Sequence, residues 1–126
     1  HSHGLRGWVH TCGCMNKLID MGIYEAMNVD VLESLTPPPL GDLSDLKTGR
    51  AKVGNKIATR GAVGVDQFYS TDIDAIRNRV RYVLESTRGY RHMIGDTNDS
   101  FPPYPRESIV ATVDEVRKSG RYLPAQ

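Results

Sequence analysis

A histidine and two cysteines alternate in the segment His10-Thr11-Cys12-Gly13-Cys14. An imidazole beside a thiolate suits a borderline-soft ion such as zinc. If this segment ends a strand, His10 and Cys12 share one face, because strand side chains alternate with a period of two. Two donors do not complete a catalytic zinc site, which keeps three protein ligands and one open position. Cys14, Glu33 and Asp96 are the candidates for the remainder, with Glu33 and Asp96 also the candidate catalytic carboxylates. The same pair admits thiol chemistry, since a cysteine nucleophile needs a base beside it. The chain offers no clear oxyanion loop for that chemistry. Plainer readings stand next to these. His10 would be a hydrogen-bonded rim histidine, Cys12 a small buried apolar residue, Cys14 part of a loop turning into a helix, and Asp96 a turn cap. Glu33 follows an apolar strand and is either functional or paired with Arg60. His92 is expected on a strand, facing helices.

These residues need a scaffold that gathers them. Leu5 to Cys12 reads as a short buried strand after Gly4. Met15 to Met27 places Leu18, Ile19, Gly22, Ile23, Ala26 and Met27 on one helical stripe. Val29 to Leu35 is a second strand. Thr36-Pro37-Pro38-Pro39 is a stiff loop. Asp42 is expected to cap a short helix carrying Leu43 and Leu46. Lys56 to Val63 is a third strand, followed by a loop with Gly64 and Asp66. A helix from about Thr71 to Ser86 shows a stripe of Ile73, Ile76, Val80, Val83 and Leu84, capped by Thr71 or Asp72. Tyr90 to Gly95 is a fourth strand. Asp96 to Pro105 is a polar loop, and Glu107 to Ser119 a last helix stopped by Gly120.

Regular alternation of strand and helix implies an α/β fold with parallel strands and helical crossovers. Four βα units are half of a (β/α)8 TIM barrel, whose active sites lie at the C-terminal ends of the strands. That rim would gather four groups. They are His10, Cys12 and Cys14; Glu33 and Ser34; Arg60, Gly61 and Asp66; and Asp96, Thr97, Asn98 and Asp99.

The bulk composition narrows the function classes. The chain has 126 residues, 39% hydrophobic and 25% charged, a globular balance. A net charge of +1 argues against a broad nucleic-acid surface. No apolar run approaches the roughly 20 residues that span a bilayer. Two cysteines one residue apart would make a badly strained disulfide, so free or metal-bound thiols in a cytoplasmic setting are expected. Arg77, Arg79, Arg81, Arg88 and Arg91 are expected on a solvated helix face and its exit.

Three stretches carry a family likeness. They are "HTCG" at 10–13, "LKTGRAKVGNKIATRG" at 46–61 and "YRHMIGDTN" at 90–98 leading into "PPYPRESIVATVDEVRKSGRY" at 102–122. Together, from about Gly4 to Tyr122, they resemble the C-terminal half of the uroporphyrinogen decarboxylase superfamily. The resemblance implies that residues 1–126 are the second half of one TIM-barrel domain, strands five to eight, with the N-terminal half absent from this chain. It implies either a cofactor-free decarboxylase acting on a tetrapyrrole or other carboxylate, or a cobalamin-dependent methyltransferase. In the second branch zinc, bound by a His-x-Cys pair and a later Cys, holds an acceptor thiol that takes a methyl from a corrinoid on a partner protein. His10 and Cys12 match the pair. The later Cys is replaced by Gly95-Asp96-Thr97-Asn98, so Asp96 is the substitute ligand the resemblance offers. The decarboxylase histidine of that loop is also missing, and Arg60-Gly61-Ala62 departs from the family's Gly-Asn. The nearer branch is the corrinoid-linked methyltransferases. The alternatives are a decarboxylase-like enzyme and a non-catalytic half-barrel module, including a homodimer of half-barrels.

Overall fold

The structure, a computed structural model, describes residues 1–97 and 103–120. Asn98, Asp99 and Tyr122, named above, lie outside the described residues. The chain alternates β1 (Trp8–His10), α1 (Asn16–Asp20), α2 (Ile23–Ala26), β2 (Val31–Ser34), α3 (Leu46–Val53), β3 (Ala58–Val63), α4 (Val65–Phe68), α5 (Ile73–Ser86), β4 (His92–Asp96) and α6 (Arg106–Ser119). The strands form one all-parallel sheet in the order β1-β2-β3-β4. The order never reverses, so every crossover steps to the next position in the same direction. α1 packs on α3, α3 on α5 and α5 on α6, which makes one continuous helical layer. Beyond β1 and β4 the sheet edges carry no further strand among the described residues.

The core lies between that layer and the sheet. Leu32, Val63, Ile76, Val80 and Val83 are fully or almost fully buried, each worth about 1.5–3 kcal/mol of transfer free energy. α5 follows from its stripe, and Asp72 starts it by accepting a hydrogen bond from the backbone N–H of Ala75 at 2.9 Å. The opposite face of the sheet is open: Trp8 is 54% exposed and Met93 38%.

The expected helix from Met15 to Met27 is two short helices. Gly22, at φ 66°, adopts the left-handed conformation that stops α1. Asp42 does not cap the helix that follows it. Its Oδ1 accepts from the backbone N–H groups of Met15 at 2.8 Å and Asn16 at 3.1 Å, so it holds the start of α1 from a distance. Asp45 caps α3 instead, accepting from Thr48 at 3.1 Å.

The arginines are a solvated face only in part: Arg81, Arg88 and Arg91 are exposed, whereas Arg77 and Arg79 are half-buried. Arg77 and Arg81 reach Glu115 on α6 at 3.5 and 2.9 Å. Arg79 turns inward to β3, and Arg91 donates to the carbonyl oxygen of Asn55 at 3.0 Å. Arg88 pairs locally with Glu85 at 2.8 Å, and Arg81 also donates locally to Oδ1 of Asn78 at 3.0 Å. Arg50, on α3, is fully buried. It donates to the carbonyl oxygens of Gly54 at 2.6 Å and Ile57 at 3.0 Å, beneath the ring of Tyr90. Burial pushes its pKa down to about 10, so it remains a cation at neutral pH. Among the described residues, no helix is long and apolar enough to cross a membrane.

Candidate active site at the C-terminal end of the sheet

Parallel pairing sets His10, Glu33, Arg60 and Met93 in one row across the four strands. Paired residues point to the same side of a sheet, and this row faces the open side. Strands lie about 4.8 Å apart. Each side chain therefore reaches the neighbouring strand directly and the next one only through an intermediary. The contacts follow that rule.

At one end, Nε2 of His10 lies 2.7 Å from Sγ of Cys12. Cys12 and Cys14 are both exposed free thiols. Thr11, between His10 and Cys12, points away and meets the hydroxyl of buried Tyr24 at 3.0 Å. The alternation expected of a strand end thus persists past His10. On the other side of the imidazole, Nδ1 of His10 lies 3.5 Å from Oε2 of Glu33 and 3.5 Å from Oγ of Ser34. Glu33 also accepts from the indole N–H of Trp8 at 2.7 Å and from Arg60.

Arg60 extends the row to the fourth strand. Its Nη1 donates to Oε1 of Glu33, and its Nη2 donates to Oδ1 of Asp96 at 2.9 Å. Its guanidinium lies over Gly95, where a Cβ would come within 2.8 Å of the guanidinium carbon. The hydroxyl of Tyr104 stands 3.5 Å from Oδ2 of Asp96. Tyr104 in turn packs between Phe68 and Tyr69, with ring centroids 5.4 and 4.8 Å away. One continuous polar path runs Cys12, His10, Glu33, Arg60, Asp96, Tyr104.

Above this row, the ends of β2 and β3 are strained side by side. Ser34, Leu35 and Ala62 hold φ values of 109°, 52° and 76°, although none is glycine. Such backbone costs on the order of 1–3 kcal/mol per residue and clusters at functional sites. Ser34 is paired with Gly61, where a Cβ would overlap the carbonyl oxygen of Ser34.

The structure brings His10, Cys12, Glu33, Arg60 and Asp96 together but divides their roles. His10 and Cys12 converge on one solvent-open point. Glu33 lies behind the imidazole, and Asp96 is engaged by Arg60 and Tyr104. Among the described residues, no three His, Cys, Asp or Glu side chains form a group able to hold a metal. His10 and Cys12 supply an imidazole nitrogen and a thiol sulfur in direct contact. Asp66 lies in the first turn of α4 and Thr97 is buried after β4. His92 is on the helix-covered face, bonded to Oγ1 of Thr59 at 2.8 Å. Trp8 and Arg79 were not among the residues expected to matter. Trp8 sits two residues before His10, and the strand period alone could have found it. Arg79 gave no local signal. Compared with known proteins, the chain matches no family model and no curated protein.

Proposed function

We propose that this chain is the C-terminal half of a (β/α)8 barrel of the uroporphyrinogen decarboxylase superfamily. In this reading it serves a corrinoid-linked methyltransferase in which His10 and Cys12 contribute two ligands to zinc. The fold supports it in two ways. A sheet whose order never reverses, with its helices in one layer, suits a barrel segment better than a doubly wound sheet, where order reverses at a switch point. The open sheet face would then be the barrel interior, filled by the other half.

The observation that carries the function is that Nε2 of His10 and Sγ of Cys12 meet at the strand end, 2.7 Å apart. To admit zinc between them they would separate to about 3.5 Å, the spacing of two ligands in a tetrahedral site. Zinc bound there would supply Lewis acidity that lowers the pKa of an acceptor thiol. Cys12 contributes a soft anionic donor and His10 a neutral one. Glu33 stands 3.5 Å from the far nitrogen of His10, the side on which carboxylates commonly back metal-bound histidines. Asp96, the substitute third ligand suggested by the resemblance, would have to leave Arg60 to serve. A donor from the missing half is the simpler completion. The corrinoid would sit on a separate partner protein. Arg60 is already bonded to Glu33 and Asp96, which leaves it poorly placed to grip a substrate carboxylate. This favours methyl transfer over the decarboxylase-like alternative.

The test is elemental analysis of the freshly purified full-length protein. Stoichiometric zinc, lost in His10→Ala and in Cys12→Ala, is the expected result. A metal-free wild type that stays metal-free after incubation with zinc would overturn the reading. The same 2.7 Å contact also favours a second reading, a Cys12 nucleophile with His10 as base and Glu33 as orienter. A metal-free protein that forms a covalent adduct at Cys12, and only with His10 intact, would select it.

A further inference from the structure

Arg79 commits a half-buried guanidinium to one carbonyl group. From α5 it donates to the carbonyl oxygen of Ala62 twice, from Nε at 2.9 Å and from Nη2 at 2.5 Å. Its guanidinium carbon lies 5.0 Å from the ring centre of Tyr82, and burial lowers its pKa. The carbonyl it grips belongs to a strained residue: Ala62 is fully buried at φ 76°, and Gly61 before it stands at φ 126°. Left-handed alanine is unfavourable because its Cβ crowds the backbone. The kink begins one residue after Arg60, whose side chain ties Glu33 to Asp96.

We infer that Arg79 is a positioning residue that clamps the Gly61-Ala62 kink and thereby sets Arg60, Glu33 and His10 in one line. It acts from the helix layer on residues of the opposite face without touching any of them. A planar fork suits this task because two N–H groups can converge on one oxygen, fixing both the position and the direction of the carbonyl. Lysine presents a single point charge and would hold position only. The inference rests on the polar row and not on zinc.

The clamp predicts a specific rescue. Glycine accepts a positive φ without crowding, so a chain with glycine at position 62 needs no clamp. The test compares wild type, Arg79→Met, Ala62→Gly and the double variant in the full-length protein. Two readouts are taken: the urea midpoint, and the ring nitrogen shifts of His10 by NMR, which report its contact with Glu33. Arg79→Met should lower the midpoint and move the His10 signals. Ala62→Gly in that background should recover most of both. Arg79→Lys should recover part of the midpoint but leave the His10 signals displaced. Unmoved His10 signals in a folded Arg79→Met protein would overturn the inference. So would losses that simply add in the double variant. Neither readout needs a metal, so a metal-free protein leaves the test intact.

Discussion

The carboxylate of Glu33 stands 3.5 Å from Nδ1 of His10, on the side of the imidazole away from Cys12. Nε2 is the ring nitrogen turned toward Cys12 and the solvent-open point. If zinc binds as proposed, removing the charge of Glu33 while keeping its shape should weaken that binding. For Glu33→Gln we expect a loss of about 10–100-fold in affinity, the usual effect of altering a partner behind a metal-bound histidine. Competition with a chromophoric chelator measures it. Unchanged affinity would remove Glu33 from this role.

Gly95 gives Arg60 its seat. A methyl group there would lie 2.8 Å from the guanidinium carbon, so the side chain must shift. Gly95→Ala should lower stability by roughly 1–3 kcal/mol, as overpacking does. It should also loosen the links to Glu33 and Asp96. Denaturant titration gives the first effect. A double-mutant cycle with Arg60→Ala gives the second, and full additivity would show that Gly95 and Arg60 act independently.

Arg50 ties the end of α3 to the start of β3 through the carbonyl oxygens of Gly54 and Ile57. Its substitution by Met keeps much of the volume but strands buried acceptors. Hydrogen bonds to a charged group contribute about 1.5–3 kcal/mol each, so Arg50→Met should cost on the order of 3 kcal/mol. Lys is expected to rescue little, since one ammonium does not reproduce the fork. A Met variant with the wild-type urea midpoint would sink this account.

His92 makes stability depend on pH. Burial, followed by the nearby charge of Arg50, pushes its pKa from 6.5 down to about 4. The folded protein therefore keeps His92 neutral where the unfolded chain binds a proton. Its contribution is complete above about pH 6.5 and is lost as pH falls toward 4, a total of roughly 3 kcal/mol. Glu115, whose pKa is lowered chiefly by hydrogen bonds from Ser119 and Arg81, adds a loss that begins only below 4.5. Urea midpoints measured across this range should fall in wild type and stay flatter in His92→Gln. Parallel curves for the two proteins would assign the acid sensitivity elsewhere.

The architecture was legible because it rests on local periodicity. The stripe of Ile76, Val80 and Val83 announced α5, and the β-branched run at residues 29–35 announced β2. The break at Gly22 was harder, because its neighbours keep helical spacing on both sides. The site was legible only in part. His10, Cys12, Glu33, Arg60 and Asp96 were expected on one rim, and parallel pairing brings them together. Their division of labour was not readable, because it depends on register between strands far apart in sequence. Asp42 and Arg79 show the same limit. Each serves an element distant along the chain, and neither leaves a mark in its own neighbourhood.

The single row formed by His10, Glu33 and Arg60 has a consequence for how this protein comes to be. Each strand supplies one member, and a slip of one residue in any strand would turn that member to the opposite face. A sheet in which β1, β2 or β3 is unpaired or out of register cannot hold the row. Forming the row therefore requires β1, β2 and β3 to be paired in register, so a probe on the His10 ring reports on that pairing.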